Sequence, residues 1–168
     1  MTHAITFQTA WGLIRITASE KGVTSIDLSP SDPAARQQPA EAGGAAASIV
    51  EEARAQLVAY IAGTRREFSF SVDYSAGTPF QRKVWKAITR IPYGRVRSYQ
   101  WVAMRVGGKQ YARAVGMALG ANPVPIVVPC HRVVAAGGAL GGFMGTRAEG
   151  FELAIKRWLL AHEGARGS

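Results

Sequence analysis

The chain has 168 residues, 48% of them hydrophobic, which suits one domain or two small ones; no run approaches the roughly 18 apolar residues of a membrane span, and Met1–Thr9 lacks the basic lead of a secretory signal, so a cytoplasmic protein without membrane association is expected. Its single cysteine, Cys130, excludes an intramolecular disulfide, and with only His3, His131 and His162 as imidazoles it argues against a Cys-based metal cluster. The net charge of +9 is uneven: residues 1–77 carry six Lys/Arg against eight Asp/Glu, residues 78–168 fourteen against three, and Thr78–Ala148 holds eleven basic residues and no acid, a one-signed field that calls for a polyanion such as nucleic acid.

Short β-prone runs come first, at Ile5–Phe7, Gly12–Ile16 and Val23–Leu28, separated by turn residues, and they predict an antiparallel meander. Residues 29–47, rich in Pro, Ala, Gly, Ser and Gln, read as a surface loop. A helix is expected from about Ser48 to Ile61, with Ile49, Ala53, Leu57 and Tyr60 or Ile61 on its apolar face, followed by a short strand at Phe68–Val72. The charge changes sign within the linker-like Asp73–Thr78, which places a domain boundary between residues 77 and 78.

The second part reads as mainly helical. Thr78-Pro79 has the form of an N-cap followed by proline in the first turn, and Phe80, Val84, Trp85 and Ile88 follow as an apolar face. Ser98 is the expected N-cap of a helix to Val106 with Val102 and Ala103 inward. Gly107-Gly108 turns the chain, and a further helix runs from about Gln110 to Gly120 on a core face of Ala114, Val115 and Leu119. Two short helices across a glycine turn in a basic region form a candidate helix-turn-helix, with Arg113 near the start of its second helix. After Asn122-Pro123-Val124-Pro125 and the apolar Ile126–Val128 comes Pro129-Cys130-His131-Arg132. The last helix, Phe151–His162, is expected to pack Ala154, Ile155, Trp158 and Leu159, with Lys156 and Arg157 at its rim.

A thiol of ordinary pKa, about 8.5, is mostly protonated at neutral pH and becomes a strong nucleophile when a base or positive charge favours the thiolate. His131 and Arg132 follow Cys130 directly, and prolines 123, 125 and 129 stiffen the segment. Glu149, Glu152 and Glu163 are the acids that could orient His131, and position in the chain does not choose among them. A thiol hydrolase and a helix-turn-helix regulator with a sensor cysteine are the competing readings, the former disfavoured by the charge.

Asn122–Val134, with its PCHR core, strongly resembles the active-site signature of the O6-alkylguanine-DNA alkyltransferases, the methylated-DNA–protein-cysteine methyltransferases. The likeness extends through Phe80–Trp85, Ile91–Gly94, Ser98-Tyr99, Ala112–Gly116 and Lys156–Gly164, and so covers residues 80–164 densely. It implies an α+β fold: a small N-terminal domain of antiparallel sheet and helix, ribonuclease-H-like, then a mainly helical domain with a winged-helix-like helix-turn-helix. It also implies irreversible, stoichiometric transfer of an alkyl group from O6-alkylguanine, with O4-alkylthymine as a second candidate substrate, in duplex DNA to Cys130, without metal or organic cofactor.

By the same resemblance His131 takes the Cys130 proton and Glu163 fixes its tautomer, while Tyr99 assists the leaving purine and Asn122 braces the active-site segment. Pro125, Val133, Phe143, Met144 and Gly145 form the pocket. Arg113 fills the gap left by a flipped base, with Ser98, Tyr99, Tyr111, Ala112 and Arg132 also at the DNA, which a monomer binds through the minor groove. The chain departs from the family pattern at Phe143, usually tyrosine, at Met144, usually Ser or Gly, at Tyr111, usually small, and in a longer stretch at Thr146–Glu152. These changes leave the range of accepted alkyl groups open.

Overall fold

A computed structural model describes residues 1–28 and 44–165. The chain divides into two units, Met1–Ala76 and Gly77–Ser168.

In the first unit, strands β1 (Thr2–Thr9), β2 (Gly12–Ser19) and β3 (Gly22–Asp27) pair antiparallel in the order β1-β2-β3. Alternation sends Ile14, Ile16 and Ala18 of the central strand inward, opposite Ile5 and Ile26 in register with Ile16. Helix α1 (Ala45–Ile61) packs on this sheet. It starts three residues before the expected Ser48, so 45–47 are helical rather than loop, and 29–43 of the expected loop lie outside the described residues. Its buried stripe is Ala46, Val50, Ala53, Leu57 and Tyr60. The spacing of three and four residues selects Val50 in place of Ile49.

The strand expected at Phe68–Val72 reduces to a single bridge between Val23 and Val72, closed by Val23 N–H to Ser71 O (2.8 Å) and Asp73 N–H to Val23 O (2.9 Å). A side chain takes the place of a ladder partner: Gln56 of α1 accepts from the Ser69 N–H (2.9 Å) and donates to the Ser69 hydroxyl (2.7 Å).

The second unit begins with α2 (Pro79–Ile88), whose N-terminus is closed by a capping box. The Thr78 hydroxyl accepts from Gln81 N–H, and the Gln81 side chain accepts from Thr78 N–H. Val84, Trp85 and Ile88 are buried, and the Trp85 indole donates to the Ala118 carbonyl at 2.8 Å, tying α2 to the helix that carries Ala118. Helix α3 (Tyr99–Val106) is capped by Ser98, a 3-10 turn spans Lys109–Tyr111, and α4 (Ala112–Gly120) follows.

The two helices form the helix-turn-helix, joined through Gly107-Gly108. A Cβ on Gly107 would lie 2.8 Å from the Tyr111 ring, which would have to move to admit it. The buried face of α4 is Val115, Ala118 and Leu119, shifted by one residue type from the expected Ala114, Val115 and Leu119.

Strands β4 (Arg97–Ser98) and β5 (Val133–Val134) pair in parallel, so the start of α3 lies beside the chain leaving Cys130. Helix α5 (Phe151–His162) buries Leu153, Ile155, Lys156 and Leu159. Ala154 is exposed and Lys156 is wholly buried, the reverse of the expectation for both. Replacing Thr78 by alanine removes one half of the capping box, and thermal unfolding should show a loss of about 1 kcal/mol.

Candidate active site

Cys130 opens a 3-10 turn, Cys130–Arg132, held by Cys130 N–H to Val128 O (2.8 Å) and Arg132 N–H to Pro129 O (3.0 Å). The approach to this turn is tight. Ile126 takes a left-handed φ of 74°, rare for a β-branched residue. Asn122 holds the bend: its amide donates to Val128 O (2.9 Å) and its oxygen accepts from Val124 N–H (3.0 Å). One side chain thus joins the end of the helix-turn-helix to the residues that present the thiol.

Three charged or titratable groups gather behind Cys130, all buried. His131 Nε2 lies 2.8 Å from Glu163 Oε1. The Arg132 guanidinium grips the same carboxylate in a fork, Nε to Oε2 at 2.9 Å and a terminal nitrogen to Oε1 at 2.8 Å, and donates a third bond to Ile91 O (2.7 Å). Gly94 N–H adds a contact to Oε2 at 3.3 Å.

Burial pushes the Glu163 carboxyl up, but the hydrogen bonds from His131 and Arg132 outweigh it, and the group lies well below the usual carboxylate range. Burial likewise draws His131 below its ordinary 6.5, against the pull of Glu163. Arg132 already neutralises Glu163 through two bonds, so we read His131 as neutral, with its proton on Nε2 toward the carboxylate. Nδ1 is then a lone-pair acceptor, and it is buried without a hydrogen-bond partner among the described residues.

Burial raises the pKa of the Cys130 thiol, while a hydrogen bond from Asn122 and the positive charge of Lys156 act in the opposite direction. Lys156 reaches inward from α5 and its ammonium donates to Val133 O (2.8 Å), Leu140 O (2.5 Å) and Gly142 O (2.8 Å). Burial lowers it to about 8, with the Cys130 charge pulling it back up.

Cys130 opens onto a cavity of about 820 Å3. The helix-turn-helix forms one wall, through Tyr99, Ala112, Arg113 and Met117. The other wall is the tight turn Phe143-Met144-Gly145-Thr146, closed by reciprocal bonds between Phe143 and Thr146 (N–H to O 2.8 and 3.1 Å). Its two central residues have φ of 50° and 81°, the pattern of a type I′ turn. The Tyr99 hydroxyl sits between the walls and accepts from Gly142 N–H at 3.2 Å.

The structure therefore brings Cys130, His131, Glu163 and Asn122 into one cluster, with Tyr99, Arg113, Ala112, Phe143, Met144 and Gly145 around the cavity it faces. Five other expected site residues are placed differently. Pro125 and Val133 are buried and are not among the residues lining the cavity. Arg132, expected at the DNA, has only 7% of its surface exposed and is committed to Glu163. Ser98 spends its hydroxyl on the cap, accepting from Trp101 N–H (3.1 Å), and the Tyr111 ring packs against Phe80, centroids 5.9 Å apart.

Lys156 is the residue that sequence reasoning missed. The signal was its spacing: residues 153, 156, 159 and 163 share one face of the final helical turns, and Leu153 and Leu159 are core.

A buried thiol, a neutral imidazole with a fixed tautomer and a basic helix-turn-helix around one cavity define a thiol nucleophile placed to act on something bound by that motif. Residues 79–165 match the family model described as the DNA-binding domain of 6-O-methylguanine DNA methyltransferase, and residues 3–74 match its ribonuclease-like domain. The constitutive methylated-DNA–protein-cysteine methyltransferase of Bacillus subtilis is 39% identical over 161 residues, 95% of this chain and 94% of that protein. The crystal structure of the Mycobacterium tuberculosis O6-methylguanine methyltransferase is similar with a TM-score of 0.78 and 34% identity, covering 98% of this chain and 93% of that one. The structure of Mycobacterium tuberculosis OGT in complex with DNA gives 0.77 and 34% over 96% and 92%. This chain belongs to the 6-O-methylguanine DNA methyltransferase family.

Acid should unfold the second unit through the same cluster. The folded state holds His131 neutral, so unfolding takes up a proton once pH falls below the imidazole's ordinary 6.5. Stability from this group is complete above that value and declines below it. Glu163, held ionised in the fold, adds a second decline below its ordinary 4.5. Chemical denaturation from pH 8 to 4 should show a plateau followed by this fall, and His131→Gln should remove the first step.

Proposed function

We propose that the protein repairs DNA by moving the alkyl group of O6-alkylguanine in duplex DNA onto Cys130, once per chain. The observation that carries this reading is the His131 ring: Nε2 is tied to Glu163, and Nδ1 is left as a buried acceptor without a hydrogen-bond partner among the described residues, on the residue next to Cys130. Cys130 gives its proton to His131 through a water, and the sulfur pair attacks the alkyl carbon in line with the C–O6 bond. That bond breaks with its electrons passing to the guanine, whose protonation the Tyr99 hydroxyl assists. The product is a thioether with no hydrolytic exit, which makes the transfer stoichiometric. O4-alkylthymine presents the same saturated carbon on an exocyclic oxygen and is a second substrate of this reading.

The target atom is out of reach inside a stacked duplex, so the base is flipped into the cavity, at a cost of a few kcal/mol. Arg113 stands exposed near the start of α4, on the same cavity wall, and fills the vacated position. Entry through the minor groove suits a repair protein, since that groove carries little sequence code. A monomer acting in the cytoplasm completes the reading; no helix among the described residues is long and apolar enough to cross a membrane.

Incubation with duplex DNA containing O6-methylguanine should add one methyl per chain to Cys130, seen by intact mass, and Cys130→Ala should abolish it. Turnover beyond one equivalent, or an unmodified Cys130 with the lesion intact, would overturn the mechanism. Glu163→Gln should slow transfer by at least about tenfold, the cost of losing the group that sets the imidazole tautomer. DNA affinity should fall linearly in log–log form as salt rises, and Arg113→Ala should reduce transfer on duplex more than on a single strand.

A further inference from the structure

Arg147 belongs to the stretch where this chain departs from the family pattern, and it lines the same cavity as Cys130. The chain reverses at Met144-Gly145, so Arg147 returns alongside Gly142. A Cβ placed on Gly142 would lie 3.3 Å from Arg147 Cγ, which shows the aliphatic stem lying across that glycine. Gly142 is itself fixed, its N–H to Tyr99 and its carbonyl to Lys156. The guanidinium is thus carried on an anchored piece of the pocket wall.

Among the described residues the charge of Arg147 is not spent on a carboxylate. The acid nearest to it in the segment, Glu149, is taken by Arg157, which donates to it at 2.8 Å, and Glu163 is held by His131 and Arg132. Among the described residues no ion pair joins Arg147 to a carboxylate. The residues lining the cavity include two arginines, 113 and 147, and no Asp or Glu. Behind the wall stands the Lys156 ammonium. A methyl group gives such a field nothing to act on. A carboxylate on the alkyl group would find a planar, forked donor whose geometry matches it.

We propose that Arg147 makes this pocket selective for O6-adducts carrying an anion on the transferred alkyl group, the smallest of which is O6-carboxymethylguanine. The inference rests on alkyl transfer to Cys130 as read above. In the step itself the Cys130 proton passes to His131 and the sulfur pair bonds to the methylene carbon. The C–O6 bond breaks toward the guanine, which regains a proton, and the carboxylate travels with the carbon to become S-carboxymethylcysteine. The arginine neutralises the anion as it leaves water, and so lowers the barrier for this adduct alone.

The test compares single-turnover rates of the full-length protein on otherwise identical duplexes bearing O6-methylguanine or O6-carboxymethylguanine. Arg147→Gln should lower the carboxymethyl-to-methyl rate ratio by about two- to fivefold, the range for one exposed charge pair, and Arg147→Lys should restore part of it. The ratio in the unmodified protein should also fall as salt rises. Equal slowing on both lesions would assign Arg147 to the DNA phosphates and overturn the proposal, as would an unchanged ratio. Failure of the unmodified protein to repair the methyl lesion would instead overturn the alkyl-transfer reading, and this one with it.

Discussion

A carboxylate taken out of water is costly unless its charge is matched and its oxygens are filled. Glu163 meets that demand fully, and much of the second unit is arranged by it. The residue caps the C-terminus of α5, where the helix dipole already concentrates negative charge, so a cation is needed beside it. Arg132 supplies the cation, and in doing so fixes the turn that begins at Cys130. His131 supplies the remaining donor and is thereby set in one tautomer. Gly94 N–H fastens the loop after α2 to the same group. The turn that presents Cys130, the His131 ring and the final helix therefore share one electrostatic anchor, and a change that neutralises Glu163 reaches all three.

Lys156 plays a complementary part on the opposite side of the active-site strand. Its ammonium collects carbonyls from β5 and from both ends of the Leu140–Gly142 stretch. The Val133 carbonyl is buried and the other two are partly so, and no neutral side-chain donor could fill three at once. The same charge bears on Cys130 and favours its thiolate. Burial works against both ions separately, and the pair offsets part of that cost for each.

Much of this was legible in the sequence, and the exceptions share a cause. The helices of the second unit announced themselves through Thr78-Pro79, Ser98 and Gly107-Gly108, because caps and turns are local chemistry. Cys130, His131 and Asn122 were legible through the motif they stand in. Arg132 and Lys156 were misplaced because basic side chains were read as surface. Whether a cation faces solvent depends on a partner distant in the chain: Glu163 is 31 residues from Arg132, and Val133 is 23 from Lys156. Likewise, Phe68–Val72 has strand-like composition, but a glutamine in α1 claims its backbone. The choice among Glu149, Glu152 and Glu163 was open for the same reason, and the two that form ion pairs chose different arginines.

The wall formed by Phe143–Thr146 shows how such anchoring bears on specificity. A type I′ turn favours Asn or Gly at the position Met144 occupies, and a side chain with φ of 50° costs on the order of 1 kcal/mol there. The turn persists because its base is fixed from behind: Phe143 is buried, and Lys156 and Tyr99 hold Gly142. Local preference is therefore not what shapes this wall. Backbone strain is tolerated so that a long, pliable thioether lines the cavity at one position and an arginine at another, three residues along. A wall whose backbone is held by Lys156 and Tyr99 can vary its side chains without disturbing the nucleophile, because Cys130 draws its own geometry from Asn122 and Glu163. The anchors of the Cys130 turn and those of the wall are thus different side chains, and Lys156, whose charge also bears on Cys130, is where the two meet.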